Sequence, residues 1–405
     1  MVRAFKGDRC MSFRNFALKA VLAAAALSVA LPSYAADPVK IGVGIAKTGP
    51  FAPAAIPTLN AYQMWADDLN AKGGMDVAGT KRPIQLVVYD DQSDFTKEAA
   101  IYEKLITDDK VDLLLSPYAT PFHFAIVGVL ERYKFPMVGS TAASVQLRTI
   151  KPGNIWFPTS AIPDKMGPEL VSLMKKQGVK SVSISTLQSP FAQEMEKYVK
   201  AALTDSGIKL LSSQQYAMDV KDMTSIVSAI KKEQPDAVLS LSFPADSILF
   251  MKAAREQGLT APFQFVLVGP TADFFGKIFG KNLDGVMTMG HWSPYQTKWP
   301  KGMPFFEAYS KKFNQAPDYL DVALAYMSCE ITEAAVAKVG LDKEKLRKEI
   351  SSTTFRYDRR SCEVHRGGKF TTPTMFLQIQ DGKPQIVWPP KEETAPFQKK
   401  GPWVN

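Results

Sequence analysis

Cysteine and histidine are scarce in this sequence of 405 residues, which contains three of each. The histidines, His123, His291 and His365, lie far apart, and none stands in an HxxxH or HExxH frame. So few cysteines exclude both a zinc cluster and a small scaffold held together by disulfides. We therefore expect neither a metal ion nor a cofactor.

The motifs of common catalytic and nucleotide-binding sites are also missing. Gly42-Val43-Gly44 follows the start of a predicted strand, but GxGxxG is not completed, and neither a P-loop nor a GxSxG nucleophile elbow is present. Lys47-Thr48-Gly49 and Ser172–Lys175 match the KTG and SxxK motifs of penicillin-binding enzymes, but their order is reversed and SDN is absent. The sequence thus predicts a protein that is not an enzyme.

No segment of the sequence is long and apolar enough to form a transmembrane helix. The apolar stretch Ala20–Leu31 follows a basic segment and precedes Pro32–Ala35, which supplies small residues before a cleavage point. This pattern is typical of a signal peptide and predicts that residues 1–35 are removed by cleavage after Ala35. We interpret the remaining chain as an exported, periplasmic protein.

The formal net charge of +9, from 49 basic and 40 acidic residues, would suit a polyanionic partner. The predicted signal peptide removes five basic residues and one acidic residue, so that 44 basic residues remain against 39 acidic ones. Those charges are dispersed, without a basic run or a basic stripe interleaved with aromatic residues. We therefore expect no nucleic-acid partner.

Cys329 and Cys362 are the cysteines that remain after the signal peptide is removed. In an oxidising compartment they could form a disulfide, or they could be two buried thiols. The sequence leaves both alternatives open because it does not give the distance between their Cβ atoms.

Strands and helices alternate along the exported chain, and the pattern restarts near its middle. The predicted strands are 39–45, 84–89, 111–116 and 136–139, followed by 181–185, 210–216, 237–241 and 265–268. Helices of ten to fifteen residues between them predict two doubly wound α/β lobes. Further helices follow Trp292 and a terminal hairpin ends the chain, so we expect the late helices to return to the first lobe.

Polar segments rich in small residues follow several predicted strands. These segments are Ala46–Ala52, Ser116–Thr120 and Gly139–Ser144. Ligands of open α/β sheets bind at the carboxyl ends of the strands, where small hydroxyl residues leave backbone N–H groups exposed to an anion. Ordinary helix capping would use the same residue types, so either role fits each loop taken alone.

Several segments carry a resemblance to a known family. They are Val39–Gly49 (VKIGVGIAKTG), Leu69–Gly79 (LNAKGGMDVAG), Ile84–Asp94 (IQLVVYDDQSD), Asp109–Ser116 (DKVDLLLS), Lys134–Gly139 (KFPMVG) and Gln234–Leu239 (QPDAVL). In this order they make the chain resemble the type I periplasmic solute-binding proteins of ABC importers, in the branched-chain amino acid and amide group. The pair Asn-x-x-Gly-Gly and Asp-Asp-x-x-Asp is the more specific part of the resemblance.

The resemblance implies two Rossmann-like lobes, joined by a hinge of three crossings, that close on a solute in the cleft between them. Carried onto this chain, the first lobe would comprise residues 37–155 and 290–357. The second lobe would comprise residues 156–289 and 358–405.

The resemblance also implies a binding site. The first-lobe loops would hold the carboxylate of the ligand through hydroxyl and backbone N–H groups of Tyr118, Ala119, Thr120, Ser140, Thr141, Ala142 and Ala143. Across the cleft we expect Phe191, which lacks the hydroxyl of the tyrosine usual in the family, and Trp292, one of an aromatic set that also includes Phe243. Asp246 would hold the ammonium group of the ligand, although an aspartate at the start of a helix is also a common cap.

The ligand expected from the resemblance is a hydrophobic or branched-chain amino acid. The alternative is an aromatic carboxylate, of the benzoate or phenylpropanoid type, which needs no partner for an ammonium group. The expected partners are the membrane permease subunits of an ABC importer, with the binding protein itself a monomer. A ligand-sensing receptor ectodomain is a further alternative.

Overall fold

Apart from Met1, the computed structural model describes residues 37–150, 154–156, 161–296, 301–352, 355–357, 360–362 and 374–404. The predicted signal peptide and His365 lie outside these ranges, as do the side chains of residues 355–357 and 360–362.

The strands fall into sheets that follow one another along the chain. They are β1 (Val39–Ile45), β2 (Met75–Val77), β3 (Thr80–Arg82), β4 (Ile84–Asp90), β5 (Leu113–Leu114), β6 (Met137–Val138), β7 (Ile155–Trp156), β8 (Ser181–Leu187), β9 (Lys209–Tyr216), β10 (Ala237–Leu241), β11 (Phe263–Val266), β12 (Val286–Gly290), β13 (Phe355–Tyr357), β14 (Arg360–Cys362), β15 (Met375–Gln380) and β16 (Lys383–Trp388).

The helices lie between these strands and after β12. They are α1 (Ala52–Ala71), α2 (Phe95–Thr107), α3 (Thr120–Tyr133), α4 (Val145–Thr149), α5 (Pro163–Lys176), α6 (Pro190–Leu203), α7 (Thr224–Glu233), α8 (Pro244–Gln257), α9 (Asp273–Phe279), α10 (Gly302–Phe313), α11 (Val322–Val339) and α12 (Lys343–Ser352). A short 3₁₀ turn spans Gly280–Leu283.

The first sheet is parallel, with the strand order β4-β1-β5, and we call the elements around it the first lobe. Its central strand β1 is almost wholly buried, as expected for a parallel strand covered on both faces. Strands β6 and β7 pair in parallel nearby in the chain. From β1 the chain first forms β4 on one side and then crosses to β5 on the other side. The carboxyl ends of β1 and β5 are therefore a topological switch point.

The second sheet has seven strands in the order β16-β15-β12-β11-β10-β8-β9, and we call the elements around it the second lobe. Strands β8 to β12 run parallel, while β15 and β16 form an antiparallel hairpin at one edge. The order of the parallel strands is that of a doubly wound sheet with its switch point between β8 and β10.

The helices that follow the second sheet pack on α1 of the first lobe. The indole N–H of Trp65 donates to Glu333 at 3.1 Å, and the Tyr326 hydroxyl donates to Asp68 at 2.9 Å, so α11 is fixed to α1. The late helices thus return to the first lobe as the sequence predicts. The lobe boundaries predicted at 155–156, 289–290 and 357–358 stay predictions, since residue 358 lies outside the described residues.

Helix α1 continues through Pro57, a residue that usually breaks or kinks a helix. The carbonyl group of Pro57 accepts a hydrogen bond from the hydroxyl of Tyr309 at 3.0 Å, so packing against α10 supports the helix at the proline.

Cys329 is a free cysteine, fully buried in α11, and the side chain of Cys362 lies outside the described residues. Burial raises the pKa of the Cys329 thiol, which makes it a poor nucleophile. Within the described ranges, the helices are all too short or too polar to cross a membrane.

Candidate functional site

The switch points of the two sheets open onto one cavity. Tyr118 and Thr120 follow β5 of the first lobe, while Phe191 follows β8 and Phe243 follows β10 of the second. The cavity contains about 380 Å³ of space, including the part that opens to solvent. Its lining consists of Tyr118, Thr120, Ser140, Thr141, Ala142, Ala143, Phe191, Phe243, Val268, Met289, His291, Leu320 and Asp321.

Ser116 joins the two first-lobe loops of the cavity, Ser116–Thr120 and Gly139–Ser144. Its hydroxyl oxygen accepts a hydrogen bond from the backbone N–H of Ser140 at 3.1 Å, and its carbonyl accepts one from the Tyr62 hydroxyl at 3.0 Å. The oxygen of that same Tyr62 hydroxyl lies 2.9 Å from the hydroxyl of Ser140. All three side chains are fully buried, so the loops are held in one relative position.

His123 belongs to this network as a neutral side chain. Burial lowers its pKa to about 4, and Nδ1 lies 2.9 Å from the carbonyl oxygen of Ala119. Because a carbonyl oxygen can only accept, Nδ1 must carry the proton, which leaves Nε2 to accept from the Ser116 hydroxyl at 2.7 Å. His123 therefore orients the loop and contributes no charge to it.

Two threonines complete the connection between the loops. The Thr141 hydroxyl accepts from the backbone N–H of Ala119 at 3.0 Å and donates to the Pro117 carbonyl at 2.8 Å. The Thr120 hydroxyl accepts from the N–H of Ala143 at 3.2 Å. Ala119 itself has φ +66° and ψ 157°, a conformation that costs an alanine about 1–3 kcal/mol. Such strain is found where a backbone must present its groups to a ligand.

The first-lobe side of the cavity is suited to an anion. Helix α3 begins at Thr120, and the N–H groups of the first turn of a helix lack partners within the helix and carry a partial positive charge. Within the described part of the lining, no lysine or arginine is present, and burial lowers the pKa of His291 to about 4. A carboxylate would therefore be held by dipoles and hydroxyl groups.

The second-lobe side of the cavity is apolar. The rings of Phe191 and Phe243 lie 6.2 Å apart, and Phe243 also packs edge-on against Phe51 of the first lobe at 5.5 Å. Val268, Met289 and Leu320 add aliphatic surface. This wall can bury an apolar side chain or an aromatic ring and contacts both lobes.

Two carboxyl groups lie at the entry to α11. One oxygen of Asp318 accepts from the backbone N–H groups of Leu320 at 2.8 Å, Asp321 at 2.6 Å and Val322 at 3.3 Å, so Asp318 caps the turn. Asp321 lines the cavity, is 8% exposed and interacts with the hydroxyl of Tyr118. Burial, and after it the charge of Asp318, raises the pKa of Asp321 well above its usual range.

The predicted site residues fall into two groups. Tyr118, Thr120, Ser140, Thr141, Ala142, Ala143 and Phe191 line the cavity, whereas Ala119, Asp246 and Trp292 lie outside its lining. Ala119 is nevertheless next to the site, where its N–H and carbonyl groups hold Thr141 and His123.

Asp246 is occupied within the second lobe. Its carboxylate accepts from the Tyr216 hydroxyl at 2.5 Å and from the backbone N–H of Phe243 at 3.2 Å, so it caps α8. The ammonium role implied by the family resemblance would add a third donor to this carboxylate. Burial raises its pKa to about 6.

Trp292 is buried and lies outside the cavity lining, and its contact with a ligand stays a prediction. Its indole N–H donates to the carbonyl of Asp318 at 2.9 Å, and its ring stacks on Tyr319 at 5.5 Å. It contacts Phe305 at the same time. The aromatic cluster around Trp292 thus supports the turn that carries Asp318 and Asp321.

Several lining residues escaped the sequence analysis. Val268 follows β11 and could have been found by the same rule of strand ends that identified the first-lobe loops. Met289 and His291 lie at the end of β12, Leu320 and Asp321 lie just before α11, and no local motif marks these four residues.

Comparison with known proteins gives a family and a fold. The profile of a family described as periplasmic binding protein matches residues 38–384. The Leu/Ile/Val-binding protein homolog 7 of Brucella melitensis is 25% identical over 398 residues, covering 92% of this chain and 96% of that protein.

Two solved structures share the fold at low sequence identity. The branched-chain amino acid transporter substrate binding protein LivJ of Streptococcus pneumoniae, in complex with isoleucine, has a TM-score of 0.76 at 18% identity and covers 87% of this chain and 100% of that one. An ABC transporter solute binding protein of Rhodopseudomonas palustris, in complex with benzoate, has a TM-score of 0.74 at 18% identity and covers 91% and 97%. The predicted fold class of two doubly wound Rossmann-like lobes is confirmed.

Proposed function

The chain belongs to the periplasmic binding protein family, and from that premise we propose that it captures a hydrophobic or branched-chain amino acid for an ABC importer. The observation that carries this proposal is the cavity between the lobes, which combines a dipolar wall for a carboxylate with an apolar wall for a side chain. The family consists of solute-binding proteins, and the protein is proposed to bind its ligand without chemical conversion.

The proposed mechanism is closure of the two lobes around the ligand. The carboxylate docks on the loops that Ser116 and Tyr62 hold together, and the second lobe then brings Phe191 and Phe243 onto the side chain. Only a ligand that contacts both lobes favours the closed state over the open one, so closure is the source of specificity.

The closed protein is proposed to deliver its ligand, as a monomer, to the permease subunits in the membrane. Export to the periplasm and cleavage after Ala35 belong to this proposal.

An aromatic carboxylate is the second candidate. Phe191 and Phe243 could pack against an aromatic ring in the cavity, and the Rhodopseudomonas protein of the same fold was solved with benzoate. Such a ligand would bind its carboxylate to the same first-lobe loops, but it carries no cation that could pair with Asp321.

A thermal-shift panel on the protein lacking residues 1–35 tests the proposal. Leucine, isoleucine and valine should each raise the midpoint of unfolding in proportion to affinity, because they bind only the native state. Benzoate and 4-hydroxybenzoate should leave the midpoint unchanged. A rise with the aromatic acids but not with the amino acids would contradict the amino-acid proposal, and no rise with either group would contradict both.

Removal of the Tyr62 hydroxyl should weaken ligand binding by about fivefold. Tyr62→Phe takes away the group that bridges Ser116 and Ser140, so the carboxylate loops lose their fixed spacing, at a cost of about 1 kcal/mol. Titration calorimetry with the best amino acid of the panel measures the change.

Tyr309→Phe is the matched control for this variant. Its buried hydroxyl also donates to a backbone carbonyl, that of Pro57 at 3.0 Å, but it lies away from the loops. It should lower the unfolding midpoint like Tyr62→Phe and leave the affinity unchanged. Equal affinity losses in both variants would show that Tyr62 acts only through global stability.

A further inference from the structure

We infer that Asp321, at the entry to α11, is the residue that pairs with the ammonium group of the bound amino acid. This inference rests on the proposed function and deepens it, because it names the group that separates amino acids from plain carboxylates. It also differs from the expectation based on family resemblance, which gives this role to Asp246.

The position of Asp321 fits an ammonium partner. Among the described residues that line the cavity, it is the only acid, and it shares that lining with the carboxylate loops at Ser140–Ala143. It also lines a second hollow of about 290 Å³ that adjoins the cavity through Tyr118, Val268 and Leu320. An α-amino acid carries its ammonium beside its carboxylate, so the two partners must lie on neighbouring parts of one wall.

The other nearby carboxyl groups are engaged by groups of the protein. Asp318 accepts hydrogen bonds from the N–H groups of Leu320, Asp321 and Val322. Asp246 accepts from the hydroxyl of Tyr216 and the backbone N–H of Phe243. Asp321 interacts with the Tyr118 hydroxyl, which also lines the cavity. Asp321 is therefore the carboxyl group of the described lining that a cation in the cavity can reach.

The electrostatics of the turn support the same role. Two buried carboxyl groups three residues apart repel each other when both are ionised, and burial raises the pKa of each. An ammonium group would offset this repulsion on Asp321. The same site would gain nothing from an uncharged substituent.

The test combines variants of the protein with pairs of ligands that differ only in the ammonium group. Leucine, isoleucine and valine are titrated calorimetrically beside 4-methylpentanoate, 3-methylpentanoate and 3-methylbutanoate. Asp321→Asn should lower the affinity for the best amino acid about 100-fold, because it removes one charge of a buried pair. It should change the affinity for the deaminated analogue by less than about threefold.

Asp246→Asn is the matched control, since it neutralises the carboxyl group that the family resemblance favours. It should change amino-acid affinity by less than about fivefold once its unfolding midpoint is shown to exceed the titration temperature. Asp321→Ala replaces Asp321→Asn if the asparagine variant fails to fold.

The outcomes separate the inference from the proposed function. If the unchanged protein binds an amino acid and Asp321→Asn binds it within threefold, the inference is overturned while the proposed function stands. A 100-fold loss in Asp246→Asn alone would also overturn it. If Asp321→Asn loses the same affinity for the amino acid and for its deaminated analogue, Asp321 shapes the cavity and does not pair with the ammonium group, which also overturns the inference. If the unchanged protein binds no amino acid, the proposed function itself fails.

Discussion

Replacing Glu98 with glutamine is expected to stabilise the protein increasingly as the pH rises, by about 3 kcal/mol between about pH 5.5 and pH 8. Glu98 lies on α2 with its carboxyl group against Gly44 of β1, and it is fully buried. Neither of its carboxyl oxygens has a hydrogen-bond partner among the described residues. Ionising this group within the fold is therefore costly.

The direction of the effect follows from two pKa values. Burial, with a smaller contribution from Asp91, raises the pKa of Glu98 in the folded protein from 4.5 to about 9. Between these values the folded protein holds one proton that the unfolded chain has released. Stability is thus complete below the unfolded pKa and is lost as the pH rises towards the folded one, by about 1.4 kcal/mol per unit. Glutamine does not ionise, so the variant escapes this loss.

Chemical denaturation at several pH values measures the difference in unfolding free energy between Glu98→Gln and the unchanged protein. The test is the slope of this difference against pH. Glutamine also introduces N–H donors, but their cost is the same at every pH and does not affect the slope. Glu307→Gln, at an exposed position of α10, changes the formal charge equally and should leave the slope near zero. A flat difference for Glu98→Gln would mean that Glu98 is ionised in the fold.

The family and the fold could be predicted from the sequence because the motif pair Asn-x-x-Gly-Gly and Asp-Asp-x-x-Asp forms local structure. The amide group of Asn70 makes a pair of hydrogen bonds with the backbone of Ile84, which joins the end of α1 to the start of β4. Asp90 accepts from the backbone N–H groups of Lys47 and Thr48, and Asp94 caps α2. The contacts of Asn70 and Asp94 are local in the chain, and those of Asp90 link the ends of the adjacent strands β4 and β1, so a pattern in the sequence can reveal them.

The same motif reveals nothing of the ligand, since none of its residues lines the cavity. The first-lobe loops were predictable because each of them directly follows a parallel strand, β5 or β6. Asp321 was not, because it reaches the cavity only when α11 returns to pack on α1, more than 200 residues later in the chain. Trp292, which we expected at the cleft, is buried outside the cavity lining. An aromatic residue after a strand end can enter either the cleft or the core beside it, and the sequence alone does not distinguish the two.

Gly74→Ala is expected to destabilise the protein by about 4 kcal/mol, whereas Gly73→Ala should cost only about 1–2 kcal/mol. Both glycines follow α1 and have positive φ, +89° for Gly73 and +102° for Gly74. A Cβ atom on Gly73 would meet no atom within 4 Å, so this variant carries backbone strain alone. A Cβ atom on Gly74 would overlap the backbone carbonyl of Arg82, which cannot move without displacing β3.

Urea denaturation of the two variants beside the unchanged protein measures both costs under the same conditions. Because the glycines are adjacent and the substitution is the same, the difference of about 2–3 kcal/mol between them isolates the overlap with Arg82. Equal costs would mean that the β2–β3 hairpin shifts freely, and the second glycine of the motif would then be required for its φ alone. A large cost confined to Gly74 would instead identify close packing of the hairpin against the end of α1 as the reason that the motif needs two glycines.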